Sequence, residues 1–394
     1  MRKVELLSPA GDLERLKVTL LYGADAVFIG GKKYSLRANA TNFSLDEIRE
    51  GCEFAHKLGK KVHLTLNIVF HNEDIDGVYE YIDDVCDAGI DAFIVSDPFI
   101  ISYIKSKHPE VEVHVSTQAS TSNIKAIEYY KEEGCDRVVL AREVSIKEIK
   151  EISEKVDIDL EVFIHGAMCT CYSGRCALSN YVTNRDANRG GCSQVCRFSF
   201  NTDKNLEFTM ATKDLNMARL IPNLIESGAR SFKVEGRMRS LYYLATVIGT
   251  YRKLIDSYYD GTLTDEKMEN YEKTLSRVAN RDVSTHYYLK EADKNDQYYT
   301  GRVEVSNQDY LGQVLEYDKN KHLVKILERN YFEVGDTVLL FSPNGDEVEF
   351  KVTKLYNKDM VEEDVARHPD EVYYLYLDSD ISIVKYSMIR KVVE

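Results

Sequence analysis

Short apolar, β-branched runs alternate along the first two thirds of the chain with longer stretches whose apolar positions recur every third or fourth residue. The short runs predict strands at Val4–Leu7, Ala26–Ile29, Lys61–Asn67, Ala92–Val95, Val111–Ser116, Arg137–Leu140, Leu160–Ile164 and Ser231–Val234. Between them, Leu13–Tyr22, Leu45–Leu58, Ile75–Ala88, Asn123–Glu133 and Ile146–Lys155 have the spacing of amphipathic helices. Strand and helix in alternation imply βαβ units and a parallel sheet, and eight repeats in about 240 residues fit a (β/α)8 barrel. A doubly wound open sheet is the competing architecture, but the chain has neither GxGxxG after its first strand nor GxxxxGK[ST] anywhere. A helix is expected at Leu241–Tyr258, and helical sequence continues to about Ala279. From Gly301 the period changes to short strands with turns: Arg302–Val305, Tyr310–Tyr317, Leu323–Ile326, Thr337–Phe341, Glu347–Lys354, Glu371–Leu377 and Met388–Val393. These predict a small all-β barrel.

In a parallel barrel the chemistry gathers at the C-terminal ends of the strands, which singles out Gln118, Arg142, His165, Glu235 and Arg237. The loop after the second strand adds Arg37. The seventh and eighth strands are separated by roughly 70 residues, and a loop that long inside a compact domain is usually functional. It begins HGAMCTCYSGRCALSNYVTNRDANRGGCSQVCRFSF and holds five of the eight cysteines. Cys169, Cys176, Cys192 and Cys196 have six, fifteen and three intervening residues, with Cys171 as an extra. Thiolates crowded among Gly, Asn and Arg predict a metal site, with a 4Fe-4S cluster ahead of zinc, because zinc knuckles use paired C-x₂₋₄-C spacings and only Cys192 to Cys196 resembles half of one.

Glu161, Phe163, Gly166, Ala167, Met168, Cys169, Gly174, Cys176, Leu178 and Ser179 resemble, position for position, the signature of the collagenase-like peptidase family. The resemblance implies a barrel and, for the better-understood branches, O2-independent hydroxylation with a 4Fe-4S cluster, acting on tRNA, on ribosomal RNA or in ubiquinone synthesis. It puts most weight on Cys169, Cys176 and Cys192 as cluster ligands, with Cys196 the fourth in some branches. Leu311–Tyr317, Val334–Asp336, Ser342–Asp346 and Arg367–Pro369 are similar to the tail of the tRNA 5-hydroxyuridine branch. That similarity implies hydroxylation of wobble uridine in tRNA, with prephenate as the source of the hydroxyl group. Prephenate is a dicarboxylate, which Arg142 and Arg237 are positioned to grip with paired hydrogen bonds. A paralogous protein partner is a further expectation.

The chain has 394 residues, which is long for a single domain. The expected division is a barrel over 1–280 with the cysteine-rich insertion at 165–230, a polar linker over 281–300, and a β domain over 301–394. At 44% hydrophobic and 29% charged, with no membrane-length apolar run and no secretory signal at the N-terminus, it reads as a cytoplasmic protein. Its net charge is −14, so any RNA contact must be local. Arg175, Arg185, Arg189 and Arg197 face one acid, Asp186, between residues 165 and 200, and Arg230, Lys233, Arg237 and Arg239 face Glu235 alone between 227 and 240. Arg37, Gln118, Arg175, Arg189 and Arg239 are the candidate substrate contacts, and Arg142, His165, Glu235 and Arg237 the candidate catalytic groups. Two other function classes compete. Proteolysis lacks H-E-x-x-H and G-x-S-x-G, leaving only a Cys169–His165 pair to carry it. A non-catalytic iron-sulfur adaptor that presents tRNA to a partner is compatible with the absence of an obvious general base.

Overall fold

The computed structural model of the chain describes residues 3–36, 42–204, 206–279, 281–298, 309–379 and 382–392. Eight strands, β1 (Glu5–Pro9), β2 (Ala26–Gly30), β3 (Lys61–Leu66), β4 (Ala92–Val95), β5 (Glu112–Val115), β6 (Arg137–Val139), β7 (Asp159–Gly166) and β8 (Ser231–Val234), pair in parallel in chain order. β8 pairs with both β1 and β7, which closes the barrel. Fully buried apolar runs such as AVFIG in β2 and AFIV in β4 suit strands covered on both faces.

Helix starts follow local capping chemistry. Ser44 and Ser145 form capping boxes with Glu47 and Glu148, and Asp12, Asn123 and Ser240 accept from backbone N–H groups three residues ahead. Two local differences from the sequence reading have clear causes. The expected helix over 75–88 is two, Asn72–Ile75 and Val78–Asp87, because Gly77 takes a left-handed φ of 81° between them. Pro98–Lys107 is also helical, started by Pro98 in its first turn and by Asp97 accepting from Phe99 N; its nearly continuous apolar sequence hid the period.

The barrel lumen is ionic. Arg137 Nη1 of β6 reaches Glu5 of β1 at 2.5 Å and Glu161 of β7 at 3.1 Å, and Lys233 of β8 reaches Glu161 at 2.8 Å. The strands of Arg137 and Glu5 are not neighbours, so the bond between them can only cross the interior. Two acids and two bases balance there, and within their electrostatic range the rings of His63 and His114 meet edge to face at 4.8 Å.

Arg302–Val305 lies outside the described residues. The β domain is built on an eight-stranded antiparallel sheet in the order Glu347–Lys351, Thr337–Phe341, Met388–Lys391, Tyr310–Asp318, Leu323–Glu328, Val372–Tyr376, Leu355–Asn357, Glu362–Glu363, with a two-stranded ribbon of Phe332–Glu333 and Val365–Ala366 beside it. The sheet curls as a half-barrel around its own core of Leu311, Val324, Ile326, Leu340, Leu355 and Leu375. Residues 281–298, expected as a linker, are instead a packed strap. Val283–Ser284 pairs with Asp214–Asn216, which itself pairs with the end of β7, and Gln297–Tyr298 pairs with Ala211–Thr212. His286, Tyr288 and Asp296 are buried within this polar-looking stretch, with Tyr288 Oη donating to Phe163 O at 2.5 Å. No helix among the described residues is long and apolar enough to cross a membrane.

Candidate active site at the barrel mouth

The cysteine segment leaves β7 and is sewn to the ends of its neighbours. Ser173 N donates to Glu143 Oε1 at 3.0 Å, Arg142 N donates to Ser173 Oγ at 3.1 Å, and Ser120 Oγ donates to Ser173 O. Gly174, at φ 70°, lets the segment run against the backbone of Gln118, where any Cβ would strike the Gln118 carbonyl. On the far side, Arg189 forms a two-pronged ion pair with Asp74 at 2.5 and 3.1 Å, and Val69 N donates to Asn188 O. Inside the segment, Asn188 Nδ2 holds Cys176 O at 2.9 Å and Ser193 N donates to Ser179 Oγ.

This stitching brings the five thiols near one another. Cys169 is influenced electrostatically by Cys192 and Cys176, Cys171 makes a thiol contact with Cys176, and Cys196 is influenced by Cys169, Cys192 and Cys176. Cys169 is exposed but crowded, and desolvation raises its pKa against the opposing charge of Arg142. Burial likewise pushes Cys196 up to about 11. Among the described residues, no three His, Cys, Asp or Glu side chains are gathered closely enough to hold a single metal ion. One zinc draws its ligand atoms to about 2.0–2.3 Å of one point, whereas a cluster places its own iron and sulfide between more widely spaced cysteines. An all-thiol donor set that is loosely gathered fits the cluster better.

The other candidates divide sharply. Arg142 stacks over the Phe163 ring, 3.9 Å from its centroid, and donates from Nη1 to Ala167 O at 2.7 Å. No carboxylate lies within ion-pair distance of it among the described residues, and it sits close enough to act on Cys169. Glu235 also faces Cys169 electrostatically. Arg237 is 4% exposed and donates to Ser35 Oγ at 3.1 Å and to Asn42 Oδ1. A Cβ at Gly30 would press on that guanidinium, so glycine leaves it room in this position.

Arg239 and Arg281 both donate to buried Asp214 at 3.1 Å, and Arg197 lies within electrostatic range of this group. Arg175 is exposed and donates to Ser120 Oγ. Gln118 lies at the end of β5 with its Oε1 buried and unpartnered among the described residues. Arg37 lies outside the described residues.

His165 is not at the mouth. Its Nδ1 lies 3.1 Å from Tyr251 Oη, its ring packs on Tyr243 and Tyr251, and burial, with a smaller push from Arg239, lowers its pKa to about 3. Sequence reasoning missed Ser173, Asp74, Asp214, Arg281 and Tyr288, which position the mouth. Their partners lie far away in the chain, so no local pattern announced them.

A closed parallel barrel with a thiol-rich segment folded over its mouth, followed by an antiparallel β half-barrel, defines the class of protein. The chain belongs to peptidase family U32: that family's model matches residues 11–298, and the model of the family's C-terminal domain matches residues 306–390. It is 44% identical over 393 residues to tRNA hydroxylation protein P1 of Bacillus subtilis, covering 96% of this chain and 93% of that protein. It is 36% identical to the 23S rRNA 5-hydroxycytidine C2501 synthase of Escherichia coli, over 65% of this chain and 40% of that one. It is also 31% identical to a collagenase of Porphyromonas gingivalis, with 89% of each chain covered.

Proposed function

We propose that this protein hydroxylates uridine at the wobble position of tRNA without molecular oxygen, using a 4Fe-4S cluster held by Cys169, Cys176, Cys192 and Cys196 and prephenate as the hydroxyl source. The observation that carries the reading is the chemistry of the mouth, where thiols converge with Arg142, a guanidinium without a carboxylate partner among the described residues, in a chain similar over nearly its full length to a tRNA hydroxylation protein. The similarity to an rRNA hydroxylation enzyme supports the broader class, pyrimidine hydroxylation in RNA.

Held by all four thiols, a cluster would supply electron transfer; an open iron position would require that one of the four not be a ligand. The chain's own residues do the rest. Arg142, pinned by Phe163 and Ala167, keeps guanidinium nitrogens for a carboxylate of a small dicarboxylate. Arg237 is held rigid beneath the loop after β2 by Ser35 and Asn42 and supplies fixed positive charge there. Glu235 is an acidic group within electrostatic range of Cys169, and it is the residue we assign to proton transfer.

Proteolysis fits less well. A cysteine nucleophile needs an adjacent base, whereas His165 is buried and bonded to Tyr251 instead. The test starts with anaerobic purification followed by iron and sulfide analysis. About four irons per chain and a broad absorption band, both lost in Cys176→Ala, are expected. Next comes nucleoside analysis of tRNA from a deletion strain complemented with wild type or Arg142→Gln. Hydroxyuridine should return with wild type and fall at least about tenfold with the variant, as for loss of a charged hydrogen bond in the reacting complex. Protein with a full cluster that binds tRNA but leaves the deletion strain uncorrected would turn the reading into the adaptor.

A further inference from the structure

The segment that gathers the thiols also carries a run of rings and guanidiniums that the fold leaves uncovered. Tyr181 is 90% exposed, Tyr172 65% and Phe198 43%. Elsewhere among the described residues the large exposed aromatics are only Tyr129 and Tyr331, which lie apart on the surface. Scattered exposed apolar residues are ordinary, but three large rings exposed on one segment at the mouth stand out from the rest of the described surface. Tyr181 sits on the short helix Leu178–Thr183, which starts just after Cys176 and packs on the turn Val195–Arg197 around Cys196. Arg175 and Arg185 lie between these rings along the chain, are exposed, and have no carboxylate within ion-pair distance among the described residues. The one acid between residues 165 and 200, Asp186, is occupied in its own turn, accepting from Asn188 N at 2.8 Å. A locally cationic face on a chain of net charge −14 is complementary to a polyanion and selects against non-specific binding over the rest of the surface.

We infer that this face is the landing site for an unpaired RNA loop, with Tyr172, Tyr181 and Phe198 stacking on bases and Arg175 and Arg185 meeting phosphates. The inference rests on RNA being the substrate and adds which surface takes it and in what form. Rings need exposed base faces, which a duplex hides and a single-stranded loop presents. Rings and arginines also suit a protein interface, but this face adjoins the thiol segment at which an RNA base would react, and its guanidiniums have no carboxylate partner among the described residues, which favours the polyanion. A loop seated on Tyr181 brings one nucleotide to the rim of the thiol group, five residues from Cys176.

The experiment uses anaerobically purified holoprotein and measures binding to a synthetic RNA stem–loop and to a fully paired RNA of equal length, across a salt series. Wild type should prefer the stem–loop. Tyr181→Ala should weaken stem–loop binding at least about fivefold, as expected for one lost stacking contact, and Tyr181→Phe should restore it. Arg185→Gln should weaken both RNAs and lower the salt slope by about one. Iron content should be unchanged in all three, which separates a binding effect from a damaged fold. Stem–loop affinity unchanged in both Tyr181→Ala and the Tyr172→Ala/Tyr181→Ala double variant would overturn the assignment. So would aromatic variants that spare RNA binding but abolish a specific protein complex. Failure of the underlying reading looks different: wild-type holoprotein would then bind neither RNA.

Discussion

Four positions separate His165 from Cys169, and strict strand alternation would point His165 inward with Glu161 and Phe163. The pairing of β7 with β8 rules that out. Phe163 lies opposite Lys233 but His165 lies opposite Val234, so Ile164 is an extra residue and the strand bulges. A bulge reverses the facing of the residues beyond it, which sends His165 outward onto the helix Leu241–Tyr259. The imidazole is therefore structural. His165→Phe should lower stability by about 1–2 kcal/mol in urea unfolding, through the lost bond to Tyr251. Hydroxylation per folded molecule should hold within a few fold; a large loss of activity at normal stability would return the ring to the chemistry. Strand-end position marked Arg142 and Glu235 in the sequence, and crowding marked the cysteines. Which arginines were spoken for was not legible, because Arg189 pairs with Asp74, 115 positions away, and Arg239 with Asp214 across a folded insertion.

Among the elements, the barrel strands were legible because buried parallel strands are short and apolar, but their inward charges were not. Glu5, Arg137, Glu161 and Lys233 sit on four strands and become a network only when the barrel closes. Burial alone would raise the pKa of Glu5; Arg137 outweighs that and holds it down to about 2. Burial pushes His63 down to about 3, against the attraction of Glu5. Both folded-state values lie below the ordinary ones of 4.5 and 6.5, so over those windows the unfolded chain binds more protons and stability rises with pH. The His63 contribution is complete above pH 6.5 and is lost progressively toward 3, while that of Glu5 is complete above 4.5 and is lost toward 2. Urea midpoints should therefore fall as pH drops below 6.5, and His63→Leu should flatten the upper part of that fall. An equal slope in variant and wild type would mean that His63 is already protonated in the folded barrel, contrary to its burial beside Arg137.

At the scale of the whole molecule, the switch from helical period to strand alternation announced a second domain, but nothing in the sequence announced how firmly it docks. Phe341 and Met388 alternate like any strand residues, yet they belong to the barrel's core cluster instead of the β domain's own. Tyr242 of the helix Leu241–Tyr259 stacks on Tyr310, with centroids 4.5 Å apart and planes 9° from parallel, and Phe341 meets Tyr22 and Tyr242 edge-on. Polar ties surround these rings: Tyr22 Oη donates to Tyr386 O at 2.9 Å, Lys253 pairs with Glu347 at 2.5 Å, and Arg277 grips Asp309 with both prongs. Domains within one chain move freely by default unless a large apolar contact couples them. Here the contact includes shared core, so the two parts should unfold as one unit in calorimetry. Tyr242→Ala removes the stacked ring from Tyr310, at a cost of about 2 kcal/mol, below that of a fully buried aromatic because both rings are partly exposed. The single transition should then split in two, the barrel keeping the higher midpoint because its closed sheet and larger core do not depend on the ring. Two transitions already present in wild type would mean that the domains are coupled only weakly, and the β domain would then be free to move relative to the mouth.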